Sequence, residues 1–192
     1  MSSRGRQLLP RGERQETILD GASKAFARQG FAQTSMDEVA SASGITKLIV
    51  YRHFASKEVL YRAVLDRTFQ RLARELAAGR QRAERGPGLR AVLRVGRSHP
   101  DALRLLLVHA PREPDFADYA TRLHARVVDV VLRGTTIADP LFARWTAKLV
   151  VACVFEGVLN WLELGSPKRD EEFATRCHAG IAAMIDALRR DF

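Results

Sequence analysis

Apolar residues recur along this chain at three- and four-residue spacing, and no stretch alternates with the two-residue period of a strand. Between Glu13 and Gln29, Ile18, Ala22, Ala25 and Phe26 mark one face of a helix, and Gly30 supplies a C-terminal stop. A short helix follows from Met36 to Ser43. Its start, Ser35-Met36-Asp37-Glu38, is a capping box in which Ser35 and Glu38 satisfy each other's exposed amides. Gly44 then breaks the chain, and Thr46 stands as the cap of a third short helix reaching Phe54. Ser56 caps a fourth, which begins Lys57-Glu58 and runs, rich in arginine, to Arg85. Gly86-Pro87-Gly88 is the clearest breaker. Beyond it the pattern predicts helices over 88–98, 101–110, 115–133, 140–164 and 170–190, punctuated by proline and glycine. The expected fold class is all-α, with an N-terminal three-helix domain and a larger C-terminal helical domain.

Composition agrees with a folded, helical chain. With 192 residues, 46% hydrophobic and 28% charged, it is long enough to bury roughly 70% of its unfolded surface. The formal charge of +9 favours an anionic partner such as nucleic acid or a membrane surface. No apolar run reaches membrane-spanning length, since Lys148 and Glu156 bracket the longest one. Cys153 and Cys177 lack a CxxC spacing, which excludes a disulfide scaffold or zinc finger and suits two buried thiols in a reducing cytoplasm. The first residues, MSSRGRQLLPRGER, have no apolar core and read as a loose basic arm.

The two short helices Ser35–Ser43 and Thr46–Phe54, with a glycine between them, are the makings of a helix-turn-helix. The third helix, at nine residues, is roughly 13 Å long and suits a major groove about 12 Å wide. Val50 and Phe54, four apart, share the face that packs inward, while Lys47 and Tyr51 fall on the other side with Leu48 and Arg52 beside them. A helix made only for packing would not expose Lys, Leu, Tyr and Arg together. Lys47 can reach a guanine edge or a phosphate, and Leu48 and Ile49 offer apolar contact, best with a thymine methyl. Tyr51 and His53 carry short, stiff donors suited to phosphate oxygens. Lys57, Thr34 and Ser35 sit at helix starts, where free amides and the positive dipole end also favour phosphate. Each position has an ordinary structural use as well: Tyr51 as a packing ring, His53 as an internal cap, Leu48 as a bare apolar residue, Lys57 as a solvated first-turn cation. Arg4, Arg6, Arg11 and Arg14 suit either an arm in a minor groove or a solvated tail.

Three stretches together resemble the DNA-binding signature of the TetR family of bacterial regulators. They are Phe26-Ala27-x-x-Gly30-Phe31, Thr34-Ser35-x-x-x-Val39-Ala40-x-x-x-Gly44-Ile45, and Tyr51-x-His53-Phe54-x-Ser56-Lys57-Glu58-x-Leu60. The match covers about residues 14 to 65; beyond it only the helix layout agrees. The resemblance implies a homodimeric transcriptional regulator, usually a repressor, whose larger domain binds a small molecule and releases a double-stranded DNA operator. It also implies that Thr34, Ser35, Lys47, Leu48, Ile49, Tyr51, Arg52, His53 and Lys57 face DNA. One departure is Leu48-Ile49, where the family commonly has Gly or Pro and then Thr or Ala, so base reading here leans on thymine methyl contacts. The expected organisation is a flexible basic arm (1–12), a helix-turn-helix DNA-binding domain (13–56), a connecting helix (57–85) and a regulatory and dimerisation domain (86–192).

The larger domain carries polar and aromatic residues on otherwise apolar helices: His109, Phe116, Tyr119, Arg122, His124, Trp145, Asn160 and Trp161. A mostly apolar pocket with a few placed polar groups would look like this, so His109, Phe116, Tyr119, Arg122, Trp145, Asn160 and Trp161 are the expected lining for a largely apolar effector. For the dimer seam, the final helix offers Cys177, Gly180, Ile181, Met184, Ile185 and Leu188 as one apolar stripe, and helix 140–164 adds Ala152, Phe155 and Leu159. The same stripes also suit closing each subunit's own core. No cofactor, metal or membrane is expected, and the chain reads as cytoplasmic, on the nucleoid when bound to DNA. An enzyme is disfavoured: His109, His124 and His178 lack metal-ligand spacing, no Gly-rich phosphate loop precedes a helix, and no serine sits in a nucleophile elbow. The alternatives to a ligand-released repressor on a palindromic operator are a ligand-independent DNA-binding protein and a thiol-responsive regulator.

Overall fold

The computed structural model describes residues 10–189, and among these there is no β-strand. The helices are α1 (Arg11–Gln33), α2 (Met36–Ala42), α3 (Lys47–His53), α4 (Lys57–Gln81), α5 (Pro87–Ser98), α6 (Pro100–Arg104), α7 (Ala117–Leu132), α8 (Pro140–Leu164) and α9 (Asp170–Arg189). Beyond α6 the chain continues through a π turn at Leu105–His109 and a 3-10 turn at Ala110–Arg112. These elements fall where the periodicity places them, with α4 ending at Gln81 rather than Arg85. The basic arm expected over 1–12 lies mostly outside the described residues, Arg4 and Arg6 included, while Arg11 and Gly12 are already helical. No helix of the described residues is long and apolar enough to cross a membrane.

Two compact units divide between Asp66 and Arg67, inside α4. The first closes around Ile18, Phe26, Val39, Val50, Leu60 and Tyr61, all buried. Tyr61 is its centre: the ring meets Phe26 edge-on at 4.9 Å and Phe31 at 5.1 Å. α1 bends at Gly30, whose φ is 81°, and one further turn carries Phe31 back onto this cluster. α1 and α2 approach so closely at Gly21 that a Cβ there would lie 2.8 Å from the backbone nitrogen of Ser43. Ser43 itself is buried and donates its hydroxyl to the Val39 carbonyl. The turn into α3 needs a positive φ of 65° at Gly44, a conformation that costs an L side chain but not glycine.

The capping box forms as expected: the Glu38 amide donates to Ser35 Oγ at 3.2 Å, and the Ser35 amide donates to Glu38 Oε2 at 2.7 Å. Donation from the Ser35 amide first, then from the Gln29 side chain and the Ser35 hydroxyl, holds the Glu38 carboxyl below its ordinary value. Thr46 differs from expectation. It occupies the cap position of α3 without a side-chain cap bond, and only its carbonyl accepts, from the Ile49 and Val50 amides. Ser56 does cap α4, accepting from the Val59 amide.

The second unit is built on α5, which packs on α8 and α9 and buries Leu89, Val92, Leu93 and Val95. Gly96 lets α5 approach α8, since a Cβ there would press into Leu162. Arg97 pins the start of α9: its Nε donates to Asp170 Oδ2 at 3.0 Å, and Nη2 donates to Asp170 Oδ1 at 2.8 Å and to the Gly165 carbonyl. Trp161 donates Nε1 to the same Asp170 and stacks flat on Phe173 at 4.7 Å. Asp139 caps α8 by accepting from the Leu141 and Phe142 amides.

A candidate nucleic-acid interface on the third helix

At seven residues, α3 is about 10 Å long, shorter than the nine residues expected but still matched to a major groove about 12 Å wide. Val50 is wholly buried and Phe54 nearly so, which fixes the rotation of the helix. On the opposite side Leu48 is 62% exposed and Tyr51 45% exposed, with Lys47 and Arg52 also exposed. Ile49 and His53 are half-buried at the edges of that face. Of the Leu48-Ile49 pair, Leu48 is therefore the more available.

Lys47 Nζ donates to Asp37 Oδ2 at 2.6 Å, an ion pair between α3 and α2 with both side chains open to solvent. That hydrogen bond, and then the charge of Asp37, hold the ammonium above its ordinary pKa. An exposed pair of this kind is weak, so a phosphate or a guanine edge can compete for the lysine. Asp37 has no sequence signal for this role, because it lies ten positions before Lys47 with a turn between them. His53 is held below its ordinary value by burial, and then by the charges of Arg11 and Arg14. It is accordingly neutral near pH 7 and offers a neutral donor or acceptor rather than a cation.

Three of the nine expected DNA-facing residues are placed differently. Thr34 is only 1% exposed and turned inward, donating Oγ1 to the Gly30 carbonyl at 2.7 Å and to that of Ala25 at 3.3 Å. Ser35 is exposed, but its hydroxyl is committed to the α2 cap. Lys57 bends back across the end of α1, donating Nζ to the carbonyls of Phe31 at 2.9 Å and Ala32 at 3.2 Å, with the ammonium 4.5 Å above the Phe31 ring. These are the carbonyls that a helix end leaves without partners. In this arrangement the lysine ties the end of α1 to the start of α4. The face that remains is Lys47, Leu48, Tyr51 and Arg52, with Ile49 and His53 at its margins.

The second unit holds cavities where none of the seven expected pocket residues lies. One of about 420 Å³ is lined by Phe69, Leu72, Leu76, Val92, Val127 and Phe155, among others, with Arg126, Asp129 and Arg133 the polar groups on its wall. A second, of about 280 Å³, lies among Val92, Val131, Val150, Val154, Ile181 and Ile185. His109, Phe116, Tyr119, Arg122, Trp145, Asn160 and Trp161 line neither of these, nor a small apolar cavity beside His124, nor a charged cleft between α5 and α9. Phe116 is core, Trp145 is 48% exposed, and Trp161 is the anchor of Asp170. The apolar residues of α4, α5, α7, α8 and α9 do the enclosing, and periodicity could not separate them from ordinary core.

The expected seam divides as well. Phe155 packs inward on the Val128, Ala147 and Val151 cluster and meets His124 edge-on, and Ile181 and Ile185 line a cavity. Ala152 and Gly180 are exposed, and Leu159, Cys177, Met184 and Leu188 are half-buried. Cys153 and Cys177 are half-buried rather than buried; burial, and then the neighbouring Cys153, pushes the Cys177 thiol up. A thiol held protonated is a poor redox nucleophile.

Residues 18–64 match the model of the family described as "Bacterial regulatory proteins, tetR family". Over 59 residues the chain is 46% identical to the transcriptional activator FasR of Mycolicibacterium smegmatis, a stretch that is 31% of this chain and 27% of that protein. Over 71 residues it is 39% identical to the transcriptional repressor ComR of Escherichia coli, covering 37% of this chain and 32% of that one. The aligned stretch thus spans about a third or less of these relatives. In three dimensions the chain is similar to a TetR-like transcriptional regulator from Rhodococcus sp. RHA1, with a TM-score of 0.76, 20% identity, and coverage of 93% of this chain and 99% of that one. The buried pattern, the capped short helices and the glycine turn of the first unit are the features that this family model covers, and the helical second unit has its counterpart in that solved fold. Residues 18–64 thus carry the DNA-binding region of the TetR family of bacterial regulatory proteins, and the chain as a whole shares the helical fold of a TetR-like regulator.

Proposed function

We propose that the chain is a sequence-specific DNA-binding transcriptional regulator, a repressor that occupies a palindromic operator as a homodimer and leaves it when a small, largely apolar molecule fills the second unit. One observation carries the DNA-binding reading. α3 buries Val50 and Phe54 yet exposes Lys47, Leu48, Tyr51 and Arg52, a mixture of cation, apolar tip and stiff donor that suits base edges and phosphates. The net charge of +9 supplies the sequence-independent attraction.

A helix of two turns reaches too few bases to specify a site alone, so two copies on half-sites roughly 34–36 Å apart supply the rest. Exposed Leu141, Phe142 and Trp145 on α8, and the small residues Ala179, Gly180 and Ala183 on α9, support those helices as the seam. The apolar cavities of about 420 and 280 Å³ support an effector, at or near the usual size range of ligand sites, roughly 300–1,000 Å³.

Selection of genomic fragments by the purified protein tests the whole reading. Recovered fragments are expected to share an inverted repeat, and a reporter behind that sequence is expected to fall when the protein is expressed. Rising transcription would make the chain an activator, as FasR is named. Recovery of no common sequence would remove the operator altogether.

A further inference from the structure

A cavity of about 570 Å³ in the second unit belongs to neither the reading helix nor the apolar pockets. It is a cleft walled by α4, α5 and the start of α9, with five arginines set against three carboxylates. The charge imbalance alone would describe a solvated surface, but the partners of these arginines are not equivalent. Arg94 is gripped by Glu75 and Glu84, and Arg97 is chelated by Asp170, so both are fixed within the protein. Arg90 is different. Its side chain is 14% exposed, while its partner Glu171 is 82% exposed and therefore held only from one side. A largely buried guanidinium whose Nε is held by the Arg85 carbonyl, but whose Nη1 relies on a solvated carboxylate, is a site where an external oxyanion can take the carboxylate's place. Arg74 stands exposed on the same wall and supplies a second cation.

We propose that this cleft binds a small organic polyanion, a molecule with at least two phosphate or carboxylate groups, with one anionic group on Arg90 in place of Glu171 and another on Arg74. Guanidinium forks accept both kinds of oxyanion in the bidentate mode, and Arg94 and Arg97 hold the wall rigid while the exchange occurs. The cleft's volume fits such a molecule rather than a lone inorganic ion. The site does not depend on what α3 does.

Isothermal titration of the full chain at low ionic strength tests it, with sodium pyrophosphate and sodium citrate as probes and acetate as the singly charged control. One or both polyanions are expected to bind saturably, one per chain, and acetate is not. Pyrophosphate alone identifies a phosphorylated ligand, citrate alone a polycarboxylate, and both together a site that selects on charge. Loss of a charged contact in Arg74→Ala is expected to weaken binding by about tenfold or more. Glu171→Gln, which removes the internal competitor, is expected to strengthen it. Both positions are exposed, so neither change threatens folding. Lys47→Ala, on the reading helix, is expected to leave the affinity as it was. The proposal is overturned if neither polyanion binds saturably, if either cleft variant leaves the affinity unchanged, or if Lys47→Ala weakens binding as much as Arg74→Ala does.

Discussion

Replacing Lys57 by alanine separates a structural tie from a phosphate clamp. In the structure the ammonium closes two carbonyls at the end of α1 and rides over the Phe31 ring. A hydrogen bond from a charged donor contributes about 1.5–3 kcal/mol when well buried, and a partly exposed one less. The cation–π contact adds roughly 0.5–1 kcal/mol. Water can replace part of what the alanine removes, so the expected loss of stability is about 1–3 kcal/mol. For a chain of this length that is roughly 3–10 °C in Tm. Operator affinity should fall because α1 no longer braces the start of α4, but the number of phosphates neutralised should not change. A plot of log K against log salt, from fluorescence anisotropy at several salt concentrations, is therefore expected to keep its slope. A clamp would behave oppositely, with Tm unmoved and the slope flattened by about 0.9 unit. That second pattern would refute the tie.

Other outcomes follow from the same geometry. Asp37→Asn frees Lys47 from its internal partner, so affinity for non-specific DNA is expected to rise and the salt slope to steepen, measured by anisotropy on a random duplex. Gly180→Arg adds a side chain where a Cβ meets nothing within 4 Å, so circular dichroism should stay helical while light scattering shows loss of the dimer. Asp170, held below its ordinary value of 3.8 by Arg97 first and by Trp161, contributes stability that is complete above that value and lost as pH falls below it. Asp170→Asn should therefore lower Tm at neutral pH and flatten its acid limb, followed by thermal melts between neutral and strongly acid pH.

The helices were legible because each is bounded by local chemistry: the Ser35–Glu38 box, the glycine turn at 44 and the Gly86-Pro87-Gly88 breaker all act within a few residues. The rotation of α3 was legible for the same reason, since Val50 and Phe54 lie on one face of one helix. What was not legible depends on pairs far apart in sequence. Lys57 reads as a first-turn cation until the bend at Gly30 brings the Phe31 and Ala32 carbonyls under it. Thr34 reads as a free helix-start hydroxyl until the same bend turns it onto Gly30 and Ala25. The lining of these cavities was hidden for a related reason. Trp161 is used up by Asp170 and Phe173, and the cavities are walled largely by valine, leucine, isoleucine and phenylalanine, which look like core.

On the proposed function, α3 reads base sequence through its exposed apolar tip, Leu48. Leu48→Ala, measured against the recovered operator and every single-base variant of it, tests this most directly. Leu48 is 62% exposed, so the change removes little buried surface. Affinity for the best site is expected to drop by roughly 1 kcal/mol or more, discrimination to be lost at a thymine position in each half-site, and the salt slope to stay unchanged. A uniform loss across all variants, or no loss at all, would contradict it and move the reading surface off α3.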